Sequence, residues 1–222
     1  MTLEITRIDP FDTAEVDAWW DAYAAAERAD RGSDIPVWSR EETRNAMQQQ
    51  SQTLERRPLL LRDDGTVVGA AGLALPLKDN THVAHLAVHV PPAHRRRGVG
   101  STALAFLEAE AAEAGRTTAQ GDTSWPYELG PDGKGAPGRE FARRHGYALA
   151  LGDVQNRLAL PLDLEVLDRI DADIAAATRG YSVRSWIGPV PDDVVEGWAV
   201  LDASIDTEAP SGDLDIAPAK PD

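Results

Sequence analysis

Val88-His89-Val90-Pro91-Pro92-Ala93-His94-Arg95-Arg96-Arg97-Gly98-Val99-Gly100-Ser101 is the stretch on which the fold turns. It reads as the end of a strand, a short turn and the start of a helix. A helix start presents unpaired N–H groups and the positive end of the peptide dipoles. Gly98 and Gly100 let the backbone approach a ligand and take angles that other residues resist. Arg95, Arg96 and Arg97 add charge where the field is already positive. A glycine turn alone is more often a tight connection, and an arginine run alone a solvated surface. Their conjunction at one helix start predicts a site for a pyrophosphate.

Working upstream, Thr81 to Val90 reads as a strand. Ala84, Leu86, Val88 and Val90 share one face, and His85 and His89 point to the other. Pro91-Pro92 ends it. Leu59-Leu60-Leu61, Asp63-Asp64-Gly65 and Thr66-Val67-Val68 spell a hairpin, its second strand running on to Leu75. Earlier still, Leu3, Ile5 and Ile8 predict a strand. Asp12 and Glu15 resemble a capping box, followed by Val16, Trp19, Trp20 and Tyr23 at helical spacing. Ser39 with Glu42 predicts a second helix to about Leu54, after a loop over 31–36.

Downstream, residues 101–114 predict a helix with Ala103, Leu104, Leu107, Ala111 and Ala114 on one side and Gly115 as its stop. Thr117 to Gly121 reads as a strand, Gly130 to Gly138 as a loop and Arg139 to His145 as a short helix. Tyr147 to Leu151 and Gln155 to Leu160 read as two further strands, closed by Pro161. This order gives an α+β domain with a mixed sheet rather than a regular β-α alternation.

The chain has 222 residues, no cysteine and a formal charge of −15. Without cysteine, disulfides, Cys-ligated zinc, iron–sulfur clusters and thiol catalysis are excluded. That composition, with no signal-like start and no stretch of ~20 apolar residues, leads us to expect a cytoplasmic protein away from membranes. Residues 161–222 hold 14 acidic against 4 basic side chains. An acidic surface maintains solubility, opposes nucleic-acid binding and suits cationic amine substrates. The tail carries a faint repeat: a shift of 178 positions pairs Leu3 with Tyr181, Ile5 with Val183, Val16 with Val194 and Trp20 with Trp198. The expected organisation is a domain over 1–160, a linker helix within 161–179 bearing Leu164, Leu167, Ile170 and Ile174, and the restart of the same unit over 180–222. Pro210 to Asp222, rich in Pro, Asp and Ala, reads as a mobile end.

Which phosphate ligand fits? A P-loop needs Gly-x-x-x-x-Gly-Lys-Ser/Thr, and Lys134 lacks that frame. Gly98, Gly100 and Ala103 fit the dinucleotide pattern, with Asp122 ~20 residues on. That turn places its first glycine directly after the strand, and here Pro91 to Arg97 intervene. Arg95-Arg96-Arg97-Gly98-Val99-Gly100 instead resembles the pyrophosphate loop of the GNAT acetyltransferases, Arg/Gln-x-x-Gly-x-Gly/Ala. The preceding strand, Pro92 and the Ala/Leu-rich helix match as well. Phe141-Ala142-Arg143-Arg144-His145-Gly146-Tyr147 looks like the family's helix ending in Gly-Phe/Tyr. The resemblance covers residues 3–160, and the tail repeat is similar to the opening of a second unit in tandem members.

The resemblance implies an α/β/α sandwich with a mostly antiparallel sheet and acetyl-CoA as co-substrate. It implies that the Val88 and Val90 amides hold pantetheine and the thioester. Arg95, Arg96, Arg97, Gly98, Val99, Gly100 and Ser101 would then hold the pyrophosphate. Many relatives carry a carboxylate on this strand; Thr81 to Val90 has none, which leaves His85 and His89 as candidate bases, with His82 nearby. The usual tyrosine acid falls on Ala142, so Tyr127 is an alternative acid. Trp125 and Tyr127 are expected either to shape an acceptor pocket or to pack on the core.

Three readings follow. One is acetyl transfer to a primary amine of a small molecule or peptide. Another is a non-catalytic acyl-CoA-binding or scaffold half of a tandem protein, suggested by Ala142 and the missing carboxylate. The weakest is an NAD-type domain. An unfinished second unit would leave apolar surface that a homo-oligomer would cover.

Overall fold

A computed structural model describes residues 2–31 and 37–218 of the chain. The loop expected over 31–36 falls, after Arg31, outside the described residues. Strand β1 spans Leu3–Arg7, helix α1 Thr13–Arg31 and helix α2 Arg40–Gln48. Strands β2 (Leu54–Asp63), β3 (Thr66–Pro76) and β4 (Val83–His89) follow, then α3 (Val99–Glu113) and β5 (Thr118–Gln120). Helices α4 (Pro137–Arg144), α5 (Leu164–Ile174) and α6 (Val195–Glu208) complete the order.

Local chemistry accounts for the boundaries. The Asp12 carboxylate accepts from the Ala14 and Glu15 N–H groups, while Glu15 accepts from the Asp9 N–H rather than closing a box with Asp12. Ser39 and Glu42 do make a reciprocal capping box. Helix α2 stops at Gln48, shorter than the expected run to Leu54, because Leu54 is already paired with Pro76 in the sheet. The β2–β3 turn has Asp64 and Gly65 both at positive φ (48° and 77°), the twist a two-residue hairpin needs.

The five strands lie in the order β1-β2-β3-β4-β5. All neighbours are antiparallel except β4 and β5, which are parallel and joined across α3. The side chains of β2 alternate between two helical layers. Leu59 and Leu61 join Leu73, Leu75, Ala84, Leu86 and the α3 residues Val99, Ala103, Leu104, Leu107 and Ala111. Leu60 points the other way and meets Val16 and Ile8, with Trp19 and Met47 packed alongside. Both faces are covered, so Leu59-Leu60-Leu61 is buried as a continuous run.

The two strands expected over 147–151 and 155–160 do not form; that stretch is irregular, with Leu158 and Leu160 well exposed. Strand β5 has only three residues and offers too short an edge to seed them. Although the repeat pairs Tyr181 and Val183 with Leu3 and Ile5 of β1, no strand forms at 181–183, and both side chains project into solvent. The companion helix is present as α6. There Trp198 receives Trp186 edge-on at 5.6 Å, and Arg184 grips Asp193 with two bonds of 2.6 and 3.1 Å.

The described part of the tail, expected to be mobile, lies back on the sheet. The Asp213 N–H donates to the Ala150 carbonyl, and Ala217 exchanges two bonds with the Asn80 amide. Asp215 accepts from the Thr118 hydroxyl at 2.6 Å and pairs with His82 at 3.3 Å. These contacts hold the Asp215 carboxyl below the usual carboxylate range, the Thr118 bond more than His82.

Candidate active site

Strand β4 pairs with β5 only through Val83, Ala84 and His85. Gly121 still lies close to β4, since a Cβ there would be 2.8 Å from the Leu86 carbonyl. The second half of β4 keeps β3 on one side and has no β5 ladder on the other. A cleft of about 1850 Å³ opens there. It runs from α1 and α2, past His85, Val88, His89 and Val90, to the start of α3 and the residues of α4.

The turn before α3 is built from unusual backbone. Residues 92–94 form one 3-10 turn, Arg96 sits at φ 62° and Gly98 at φ 88°. Gly98 is the left-handed residue that a side chain would resist. The first bond of the helical ladder runs from the Thr102 N–H to the Gly98 carbonyl. The N–H groups of Val99, Gly100 and Ser101 therefore precede the ladder, the arrangement that suits an anion.

The three arginines do different things. Arg95 is half-buried; its Nε donates to the Val90 carbonyl at 2.8 Å and its Nη2 to the Ala26 carbonyl at 3.4 Å. It braces the turn against β4 and α1. Arg96 is exposed and lines the cleft. Arg97 is exposed but does not line it, and the Val99 side chain is buried in the core at 2% exposure. For Val99 only the main chain is available to a ligand. Gly100 lies against α4: a Cβ there would sit 3.2 Å from the Phe141 ring. Its lack of a side chain is thus a packing requirement.

Arg143, Arg144, His145 and Ser101 line the same end, where the Ser101 hydroxyl and His145 Nε2 are 3.0 Å apart. Glu140, also in the lining, is occupied by the Gly135 N–H and by Arg143, which hold its carboxyl low. This end of the cleft is therefore basic. At the other end His89 places Nδ1 3.2 Å from the Glu27 carboxylate. Its ring lies edge-on to Trp19 and Tyr23, at 5.9 and 5.0 Å, while Trp19 and Tyr23 stack at 5.4 Å. The indole N–H of Trp19 donates to the Ala71 carbonyl on β3 and fixes the ring. Trp38 and Glu42 add to this end. His85 is exposed on the cleft wall.

Other expectations are redirected. Tyr127 is exposed and lies outside the cleft lining, in a turn over Tyr127–Leu129. Trp125 folds over Gly133 in its own loop and donates to the Gly130 carbonyl, so it forms neither acceptor pocket nor main core. Ala142 offers no acid. Tyr147 donates to Glu108 at 2.8 Å, and burial together with this bond pushes its hydroxyl well above the ordinary tyrosine value. The sequence reading missed Glu27, Tyr23 and Trp19 as cleft residues. Their spacing of four along α1 was the available signal, since it places all three on one face.

A five-stranded sheet with three antiparallel neighbour pairs and one parallel pair has none of the repeated β-α-β units of a dinucleotide fold, so the NAD-type reading falls. What remains is an α+β domain with two strands parting beside a glycine-flanked helix start. Residues 16–122, a little under half of the chain, match a family model described as acetyltransferase (GNAT) family. No curated protein matches the chain. Among solved structures it is similar to a tandem GNAT protein from the clavulanic acid biosynthesis pathway, solved without acetyl-CoA. The identity is 25% and the TM-score 0.65, over 94% of this chain and 61% of that one. The chain thus spans about three fifths of the tandem protein's length. It is also similar to the aminoglycoside acetyltransferase AAC(6')-Iy bound to a CoA bisubstrate analogue, at 15% identity, TM-score 0.49 and 72% and 99% coverage. A ribosomal-protein-alanine N-acetyltransferase from Brucella melitensis biovar Abortus 2308 matches at 15% identity and TM-score 0.48, over 71% and 100%. No described helix is long and apolar enough to cross a membrane.

Proposed function

We propose that this chain transfers an acetyl group from acetyl-CoA to a primary amine of a small cationic molecule or peptide, in a ternary complex. The observation that carries the reading is the polarity of the cleft. One end gathers Arg96, Arg143, Arg144 and the free N–H groups at the start of α3; the other gathers aromatic rings, Glu27, Glu42 and His89. An anionic nucleotide suits the first end and a cationic amine the second. The unladdered half of β4 joins them and suits the extended, amide-bearing pantetheine arm, with Val88 and Val90 beside the thioester.

In the reaction the amine nitrogen bonds to the thioester carbon and the C–S bond breaks. One proton leaves nitrogen and one is taken up by the departing sulfur. The carbonyl oxygen gains charge on the way, and a strand N–H such as that of Val88 would stabilise it. Ser101 and His145 are protic groups at the cofactor end.

A cytoplasmic location fits this chemistry. The tandem organisation is likewise our reading: one unit over 1–160, a linking helix and the opening of a second unit over 180–222. The length ratio to the tandem structure and the placement of Trp20 and Trp198 on α1 and α6 support it. Homo-oligomers would then cover part of the exposed apolar surface.

The test is acetyl-CoA-dependent thiol release with a panel of amines, alongside calorimetric titration of CoA. Turnover with any amine is the expected result. CoA binding with no turnover across the panel would favour the alternative, a non-catalytic acyl-CoA-binding half. Arg96→Glu should weaken CoA at least tenfold; unchanged affinity would remove the assignment of the phosphate end. This exposed residue is a cleaner probe than Gly100→Asp, whose side chain would also press on Phe141.

A further inference from the structure

We infer that Glu27 is a positioning residue for His89, fixing its tautomer and orientation so that Nε2 takes the proton of the acceptor amine. This rests on the amine transfer proposed above and adds a partner from α1, an element remote in sequence from the strand that bears the base.

The geometry has three parts. His89 Nδ1 lies 3.2 Å from Glu27 Oε1, so the proton on that nitrogen donates to the carboxylate and Nε2 is left as the acceptor. The ring is clamped edge-on by Trp19 and Tyr23, which stand on the same helical face as Glu27. Both side chains are sheltered, with side-chain exposures of 16% for His89 and 25% for Glu27, yet both line the cleft. His85 has no such partner among the contacts of the described residues and stands exposed. A carboxylate behind an imidazole also favours the cation formed when the proton arrives.

Other titratable and charged groups border the same cleft: Tyr23 on α1, Glu42 on α2, Arg56 and Arg57 on β2, His85 on β4, Arg95 and Arg96 in the turn and Asp122 after β5. Of these, Arg57 is paired with Glu55 and Glu110, and Arg95 is bonded to Val90 and Ala26. In the transfer step the amine gives one proton to His89 Nε2 as its nitrogen bonds to the acetyl carbon, and the imidazolium later returns it to solvent. Glu27 keeps its charge throughout.

Two variants separate charge from hydrogen bonding. Glu27→Gln keeps an oxygen for Nδ1–H but removes the charge. A loss of about tenfold in kcat/KM at neutral pH is expected. Glu27→Leu removes both, and a loss of about 100-fold is expected with CoA affinity unchanged. Glu27→Asp should recover part of it. Nitrogen NMR of the full chain supplies a readout independent of turnover. Neutral His89 should carry its proton on Nδ1 in the native protein and as a mixture in Glu27→Leu. A native Nε2–H tautomer, or a Glu27→Gln kcat/KM equal to the native value, overturns the inference. If no amine is acetylated, the transferase reading is lost, and the tautomer measurement still decides the pairing.

Discussion

Residues 3–147 and residues 148–218 obey different rules although they are one chain. Every fully buried apolar side chain among the described residues lies between Ile8 and Ala136. Beyond 148, Leu158, Leu164, Tyr181, Val183, Ile187 and Leu201 are all exposed, although α5 and α6 carry the apolar spacing that normally seeks a core. The first region is organised by burial between two helical layers and a sheet. The second is organised by caps, ion pairs and a few backbone bonds, such as the Asp163 cap of α5 and the Arg184–Asp193 pair. Apolar patterning makes a helix possible; only a partner surface makes it a layer.

That contrast can be broken by substitution. The largest difference should come from truncating large aliphatic side chains. Leu107→Ala, at a side chain with no exposure, is expected to cost about 2–5 kcal/mol in urea unfolding. Ile187→Ala, fully exposed, should stay within about 0.5 kcal/mol. Equal effects would dissolve the distinction. Next come two Gly→Ala changes of opposite expected sign. At Gly69 a Cβ would lie 2.9 Å from the His89 carbonyl and from Leu61, so destabilisation of about 1–3 kcal/mol is expected. At Gly197, inside α6 with nothing within 4 Å, the same change should stabilise that helix by about 0.5–1 kcal/mol. Hydrogen exchange sharpens the boundary: β2 amides should exchange only with global unfolding, and those of 149–162 far faster.

The smallest effect concerns the tail. Folding holds the Asp215 carboxyl below its ordinary value, so its contribution is fully present above the usual carboxylate range. It is lost only as pH falls through the lowered value. Amide shifts of Thr118 and Ala217 should report that release at acid pH, and Asp215→Asn should abolish the transition. A pH-independent tail would show that the Asn80 bonds alone hold it.

Much of the first region was legible because local chemistry and tertiary packing agree there. The Asp64-Gly65 turn, the Ser39–Glu42 box, the arginine-glycine turn and the apolar face of α3 each specify a single local answer. The strands expected over 147–160 failed because alternation states a preference for pairing and cannot supply the neighbouring edge. The Glu27–His89 contact was hidden for a different reason. It joins positions 62 residues apart in the chain, through a register between α1 and β4 that packing alone sets. Read along α1, Trp19 and Tyr23 look like ordinary interior aromatics; only the fold brings a strand histidine beneath them.

The early parting of β4 and β5 has a thermodynamic corollary. An open strand edge in the interior of a domain is an unfinished seam, and such seams invite other extended chains. A guest that lies along it with its own amides acts as a borrowed sixth strand. Melting temperature then becomes a gauge of occupancy, since a guest at a hundred times its dissociation constant adds about 2.7 kcal/mol to the folded state. Preparations stripped of that guest should be the ones most prone to self-association.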